Sequence, residues 1–219
     1  MKAGRILGGA VTVLAGAVVV TVVGLVLQQH PSPAQGAVRT SSGHATIELA
    51  TYPDSMAGEH GPNGGAHPDW VSYGPTTSLT APAHTLVTVT IRQYDGGERI
   101  TNPYFARVHG TVGGVERVNG RVVRSVDPAA IGHTFTIHAA PTAQDPLFVS
   151  VPLPAVPDSA PTAKGSDYPQ PIVVTFSFMT RGPGTYIWNC EFPCGDGTYA
   201  KFGGPMSTRG YMSGTLTVV

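Results

Sequence analysis

The sulfur of this chain gathers toward its C-terminal end. Cys190 and Cys194 are its two cysteines, spaced as Cys190-Glu191-Phe192-Pro193-Cys194, and Met206 and Met212 follow before the closing stretch Thr215–Val219. Thiolate and thioether are soft donors that select copper over hard cations, and an imidazole completes such a set. A site of this kind takes one histidine from an earlier strand, and His133, heading the alternating stretch His133–Ile137, is the candidate. The candidate metal ligands are therefore His133, Cys190, Cys194, Met212 and Met206, and the candidate cofactor is copper. A competing reading pairs the cysteines, as is usual in an oxidising compartment. A disulfide across so short a loop recovers little chain entropy. Spacing alone leaves both readings open.

Such a site needs a rigid frame, and the sequence offers strands. Leu86, Thr88 and Thr90 alternate with Val87, Val89 and Ile91, the clearest strand pattern in the chain. Further strands are expected at 45–52, 133–138, 172–179, 185–190 and 214–219, with a hairpin of 114–118 and 121–126 turning on Asn119-Gly120. The stretches 53–75 and 141–171 read as a loop and a Pro-rich crossover. Gly (28) and Pro (20) make up roughly a fifth of the chain, which breaks helices and supplies turns. Seven or more short strands joined this way indicate an all-β sandwich or barrel.

The N-terminus is different. Lys2 and Arg5 precede an uncharged run, Ile6–Leu27, long enough to cross a bilayer core as a helix. A late small-residue site, Ala34-Gln35-Gly36, keeps a cleaved signal open as the alternative. Positive charge stays inside, so both readings export the rest of the chain. The expected organisation is an anchor or signal over 1–29, a linker over 30–43 and one domain over 44–219. The expected location is the cell membrane, single-pass, with the domain on its extracytoplasmic side, or secreted if the segment is cleaved. Thirteen basic and thirteen acidic residues balance, so there is no basic face to bind nucleic acid.

Gly182-Pro183-Gly184-Thr185-Tyr186-Ile187-Trp188-Asn189-Cys190, with Tyr211-Met212-Ser213-Gly214-Thr215-Leu216-Thr217-Val218, resembles the ligand loop of the cupredoxins. Ile131-Gly132-His133-Thr134-Phe135-Thr136-Ile137 resembles their upstream histidine strand, and the cysteine pair resembles the dinuclear CuA loop of cytochrome c oxidase subunit II. The resemblance spans roughly residues 126–219. It implies a Greek-key β-sandwich with His133 as the upstream ligand, Cys190 and Cys194 as thiolates, Met212 as axial thioether and a backbone carbonyl of the loop that holds Glu191 as a further donor. It also exposes a departure: the family's loop histidine is here Thr198, and no histidine follows His138. His109, His138 or Met206 are the candidate replacements.

Plainer roles stand beside these. His138 falls on the strand face opposite His133 and reads as a rim residue, His109 as a loop residue, Met206 as packing, and Tyr186 and Trp188 as core. His60 and His67 lie in the expected 53–75 loop and read as solvated. Three functions follow. The first is an electron carrier at the outer membrane face, working with a redox partner protein and without catalytic groups of its own. The second is a copper(I) chaperone or store handing metal to a partner, favoured by Met206 and the missing histidine. The third is a metal-free accessory domain with a Cys190–Cys194 disulfide. Paired His-x-His motifs, which a multicopper oxidase needs, do not occur.

Overall fold

Alternation along each strand gives two sheets one apolar face apiece, and burying those faces against each other produces a β-sandwich. The computed structural model describes residues 38–41, 43–56, 70–97, 102–139, 145–194, 204–206 and 208–219, all within one unit, Gly36–Val219. The strands are β1 (Val38–Ser41), β2 (His44–Tyr52), β3 (Ser72–Gly74), β4 (Ser78–Ala81), β5 (Leu86–Gln93), β6 (Glu116–Val118), β7 (Arg121–Val123), β8 (Ile131–His138), β9 (Phe148–Pro154), β10 (Ile172–Met179), β11 (Gly184–Asn189) and β12 (Ser213–Val218). One sheet runs β1-β2-β5-β10-β6-β7, with β3 on β2, and the other β4-β12-β11-β8-β9. The all-β sandwich expected from the sequence is what forms.

The strongest sequence pattern behaves as read. Val87, Val89 and Ile91 of β5 are fully buried, beside Val174, Phe176 and Phe178 of β10 and Ala45, Ile47 and Leu49 of β2. The facing sheet contributes Phe135, Ile137, Trp188, Leu216 and Leu79. Trp188 packs on Tyr73 and Phe135, with ring centroids 4.9 and 4.8 Å apart, and its indole N–H donates to the Thr77 carbonyl at 3.1 Å. That bond satisfies a polar atom that burial would otherwise penalise. The Asn119-Gly120 hairpin also forms, both residues having positive φ (46° and 82°) as such a turn requires.

Three segments differ from the sequence expectation. β1 lies within the expected linker and pairs along β2. β3 and β4 arise in and just after the stretch read as loop, where three- and four-residue strands carry too little periodicity to see. The expected crossover 141–171 contains β9, which pairs with β8 from Phe148 to Pro154. Proline removes ladder donors and argues against a strand, but β9 is a sheet edge, where Pro152 and Pro154 are tolerated. Among the described residues no helix is long and apolar enough to cross a membrane. The expected anchor Ile6–Leu27 lies outside the described residues, as do His60, His67 and Thr198.

Candidate metal centre

Three neighbouring strands of one sheet set up the site. β11 lies between β8 and β12, so the residue leaving β11, Cys190, is held beside the histidine strand and beside the start of β12. The Cys190 N–H donates to the Met212 carbonyl at 2.9 Å, and the Met212 N–H donates to the Pro205 carbonyl at 3.2 Å. Met212 is fully buried, and Met206 is half-buried against the core. From β8, the Thr134 N–H donates to Cys190 Sγ at 3.4 Å, and the Thr134 hydroxyl accepts the Glu191 N–H at 2.8 Å. Tyr73 closes the back by donating its hydroxyl to the Thr134 carbonyl at 2.8 Å.

His133, Cys190 and Cys194 converge. Their donor atoms all lie within 4.8 Å of one another, and all three side chains are buried. His133 Nδ1 stands 3.0 Å from Cys194 Sγ and 3.8 Å from Cys190 Sγ, while the two sulfurs, which are not joined in a disulfide, are 2.8 Å apart. The other ring nitrogen, Nε2, meets Asp95 Oδ2 at 2.8 Å. Both sulfurs also approach the Phe192 carbonyl, at 3.5 and 3.0 Å.

The electrostatics match a cation site. Burial pushes the Cys190 thiol up, but hydrogen bonding with Cys194 and His133 and the charge on His133 outweigh it and hold the thiol well below its usual range. Burial alone would lower His133, yet its bonds to Asp95 and Cys190 carry it from 6.5 to about 9. Tyr73 is driven well above the usual phenol value, first by burial and then by negative charge on Cys190 and Cys194. The Cys190–His133 pair is a thiolate beside an imidazolium, and a soft metal taking both donors would displace the imidazolium proton. The same Asp–His–Cys order also serves nucleophilic catalysis, but Cys190 is fully buried and Cys194 is 2% exposed, which gives a substrate no approach to the sulfur.

The other candidates stay apart from this cluster. His138 is partly exposed, bonds through Nε2 with Asn189 Oδ1 at 2.9 Å and sits 3.9 Å from Glu191 Oε1. His109 stacks on Tyr104, with centroids 4.5 Å apart, and bonds with its carbonyl at 3.2 Å. Neither supplies the missing imidazole. Asp95 was missed by the sequence reading. It sits in the turn Gln93-Tyr94-Asp95-Gly96-Gly97, and an aspartate before two glycines carries only the signature of a turn.

No family model and no curated protein matches the chain. Among solved structures it is similar to auracyanin A, a "blue" copper protein of Chloroflexus aurantiacus, at 14% identity over 81% of this chain and 100% of that one, TM-score 0.36. It is similar to a rusticyanin variant at 16% identity over 84% and 87%, TM-score 0.33. A chain of a heme-copper terminal oxidase dimer matches at 12% identity over 97% and 99%, TM-score 0.30. The chemistry of this chain rests on its own side chains.

Proposed function

We propose that this chain is an exported copper protein of cupredoxin type that carries single electrons at the outer face of a membrane. The observation that carries this reading is the convergence of His133 Nδ1, Cys190 Sγ and Cys194 Sγ within 4.8 Å, all buried in a sandwich. These three residues would hold the metal, with Met212 as the weak thioether. Copper supplies one-electron exchange between two oxidation states, and rigid ligands keep the geometry change small. The chain's part is to fix the donors and exclude water. It does so with the β8–β11–β12 frame, the Thr134 N–H on Cys190 Sγ and the Tyr73 brace behind it.

A route for the electron supports the same reading. Phe192, between the two cysteines, meets Phe105 at 6.4 Å, and Phe105 meets the exposed Tyr104 at 5.2 Å between ring centroids. Two ring contacts therefore link the sulfur loop to the exposed Tyr104, where a redox partner protein would dock. Export rests on the uncharged run Ile6–Leu27 behind Lys2 and Arg5.

A second reading, a copper(I) carrier, is favoured by Met206 packing half-buried in the same loop and by Thr198 standing where the resemblance implies histidine. Loading the full-length chain with copper separates the two. The electron carrier gives an intense thiolate-to-copper absorption and a reversible one-electron couple. The carrier of copper(I) stays colourless while holding one equivalent of copper(I) against a copper(I) chelator. Failure to retain copper in either oxidation state would rule out both readings.

A further inference from the structure

Asp95 is held in place by bonds that do not involve the oxygen it offers to His133. Its N–H donates to Gln93 Oε1 at 3.2 Å, and its carbonyl accepts from Gln93 Nε2 at 3.1 Å and from the Val156 N–H at 2.9 Å. Gln93 is fully buried and is itself bonded by the Thr51 hydroxyl. The second carboxylate oxygen, Oδ1, accepts the Gly96 N–H at 2.7 Å. Two glycines let this turn press on β8: a side chain on Gly97 would collide with the Ile131 carbonyl, and one on Gly132 with Gln93 Nε2 and the Gly96 carbonyl. The result is a pre-set carboxylate oxygen, Oδ2, 2.8 Å from His133 Nε2.

We propose that Asp95 is a positioning residue of the metal centre: by engaging Nε2 of His133 it fixes the ring with Nδ1 turned toward Cys190 and Cys194. The inference rests on the copper reading above and deepens it. Which imidazole nitrogen ligates a metal is set by the hydrogen bond made by the other, and an anionic acceptor also makes the ligand more basic. More electron donation favours copper(II) over copper(I), so Asp95 lowers the reduction potential. A surface-facing turn residue would show none of this. Here the carboxylate reaches from the turn after β5 to a residue of β8, 38 positions on in sequence, and ends on a side chain that is 3% exposed.

The test compares the full-length wild type with Asp95→Asn, which keeps an acceptor without the charge, and Asp95→Leu, which keeps neither. Copper(II) affinity is expected to fall about 10- to 100-fold, more in Asp95→Leu than in Asp95→Asn. A loss tenfold greater for copper(II) than for copper(I) reads as a rise of about 59 mV in potential. In the diamagnetic copper(I) form, the hydrogen-bonded Nε2–H of His133 gives a slowly exchanging proton resonance that Asp95→Leu loses. The bonds of the turn to Gln93 and Val156 do not use the Asp95 side chain, and Asp95→Asn keeps an acceptor for the Gly96 N–H, so Asp95→Asn is expected to keep the wild-type circular dichroism. Asp95→Leu also loses that acceptor, and there the resonance reports on His133 even if the urea midpoint shifts. Affinity within threefold of wild type, an unchanged potential and a retained resonance would overturn the role of Asp95 while leaving the copper site standing. Failure of the wild type to bind copper would instead overturn the site and, with it, this role.

Discussion

At the residue scale, the oddest group in the molecule lies away from the metal centre. Glu116 opens β6, is 1% exposed, and neither carboxylate oxygen has a hydrogen-bond partner. Burial pushes it from 4.5 up to about 8, because the charged form loses its water without gaining a partner. Its effect on stability follows from which state releases the proton first. Below about pH 4.5 both states are protonated and Glu116 contributes no pH dependence. Between that value and about 8 the unfolded chain ionises while the folded one does not, so stability falls as pH rises, by up to about 1.4 kcal/mol per unit. Above pH 8 the penalty is complete. Glu116→Gln is expected to flatten this decline, and urea unfolding of both proteins at pH 5 and pH 8 measures it. An equal pH effect in the two proteins would show that the carboxyl finds a partner in solution. Sequence reading handled the residues of this molecule unevenly, and for a physical reason. Cysteine, histidine and methionine declare their chemistry by type, so His133, Cys190, Cys194 and Met212 were legible as candidates. Asp95 and Glu116 are ordinary acids in a turn and a short hairpin strand, and only the fold shows that one is aimed at His133 and the other is stripped of water.

At the scale of elements, the site depends on how the turn after β5 seats against β8. The β8–β9 ladder shifts register between Ile131 and His133, which places the irregularity at Gly132, where the turn makes its closest approach. A methyl group there must push Gln93 and Gly96 away, and with them Asp95. Gly132→Ala is therefore expected to cost about 1–3 kcal/mol, the usual range for overpacking a tight contact, and to weaken copper binding together with stability. Denaturant midpoints and copper titrations on the same variant check both. Unchanged stability would mean that the turn is free to move. The elements that sequence missed share one property: their environment, and not their pattern, makes them strands. β9 holds Pro152 and Pro154 and survives as an edge, while β3 and β4 are too short to show a period. β5 and β10, paired along eight residues in the centre of their sheet, were visible because alternation there is long and apolar.

At the scale of the whole molecule, the question is whether the metal makes the fold or the fold makes the site. The described core answers it. Trp188, Phe135, Tyr73, Phe178, Ile47 and Leu49 are fully or almost fully buried and draw on both sheets, whereas His133, Cys190 and Cys194 join β8 to the segment leaving β11. A small domain that needs its metal to fold has no such core to fall back on. Here binding adds to a structure already in place, by mass action alone. Free copper at 100 times its dissociation constant would then stabilise the protein by about 2.7 kcal/mol. For a chain of this length that corresponds to a melting shift of about 5–10 °C. The metal-free protein is expected to melt cooperatively at the lower temperature with its near-ultraviolet tryptophan signal intact beforehand. Trp188→Ala is expected to cost about 3–5 kcal/mol with or without metal, because the indole packs on Tyr73 and Phe135 in the core. If the metal-free chain instead showed no cooperative transition, the cluster would have to be counted among the elements that fold it.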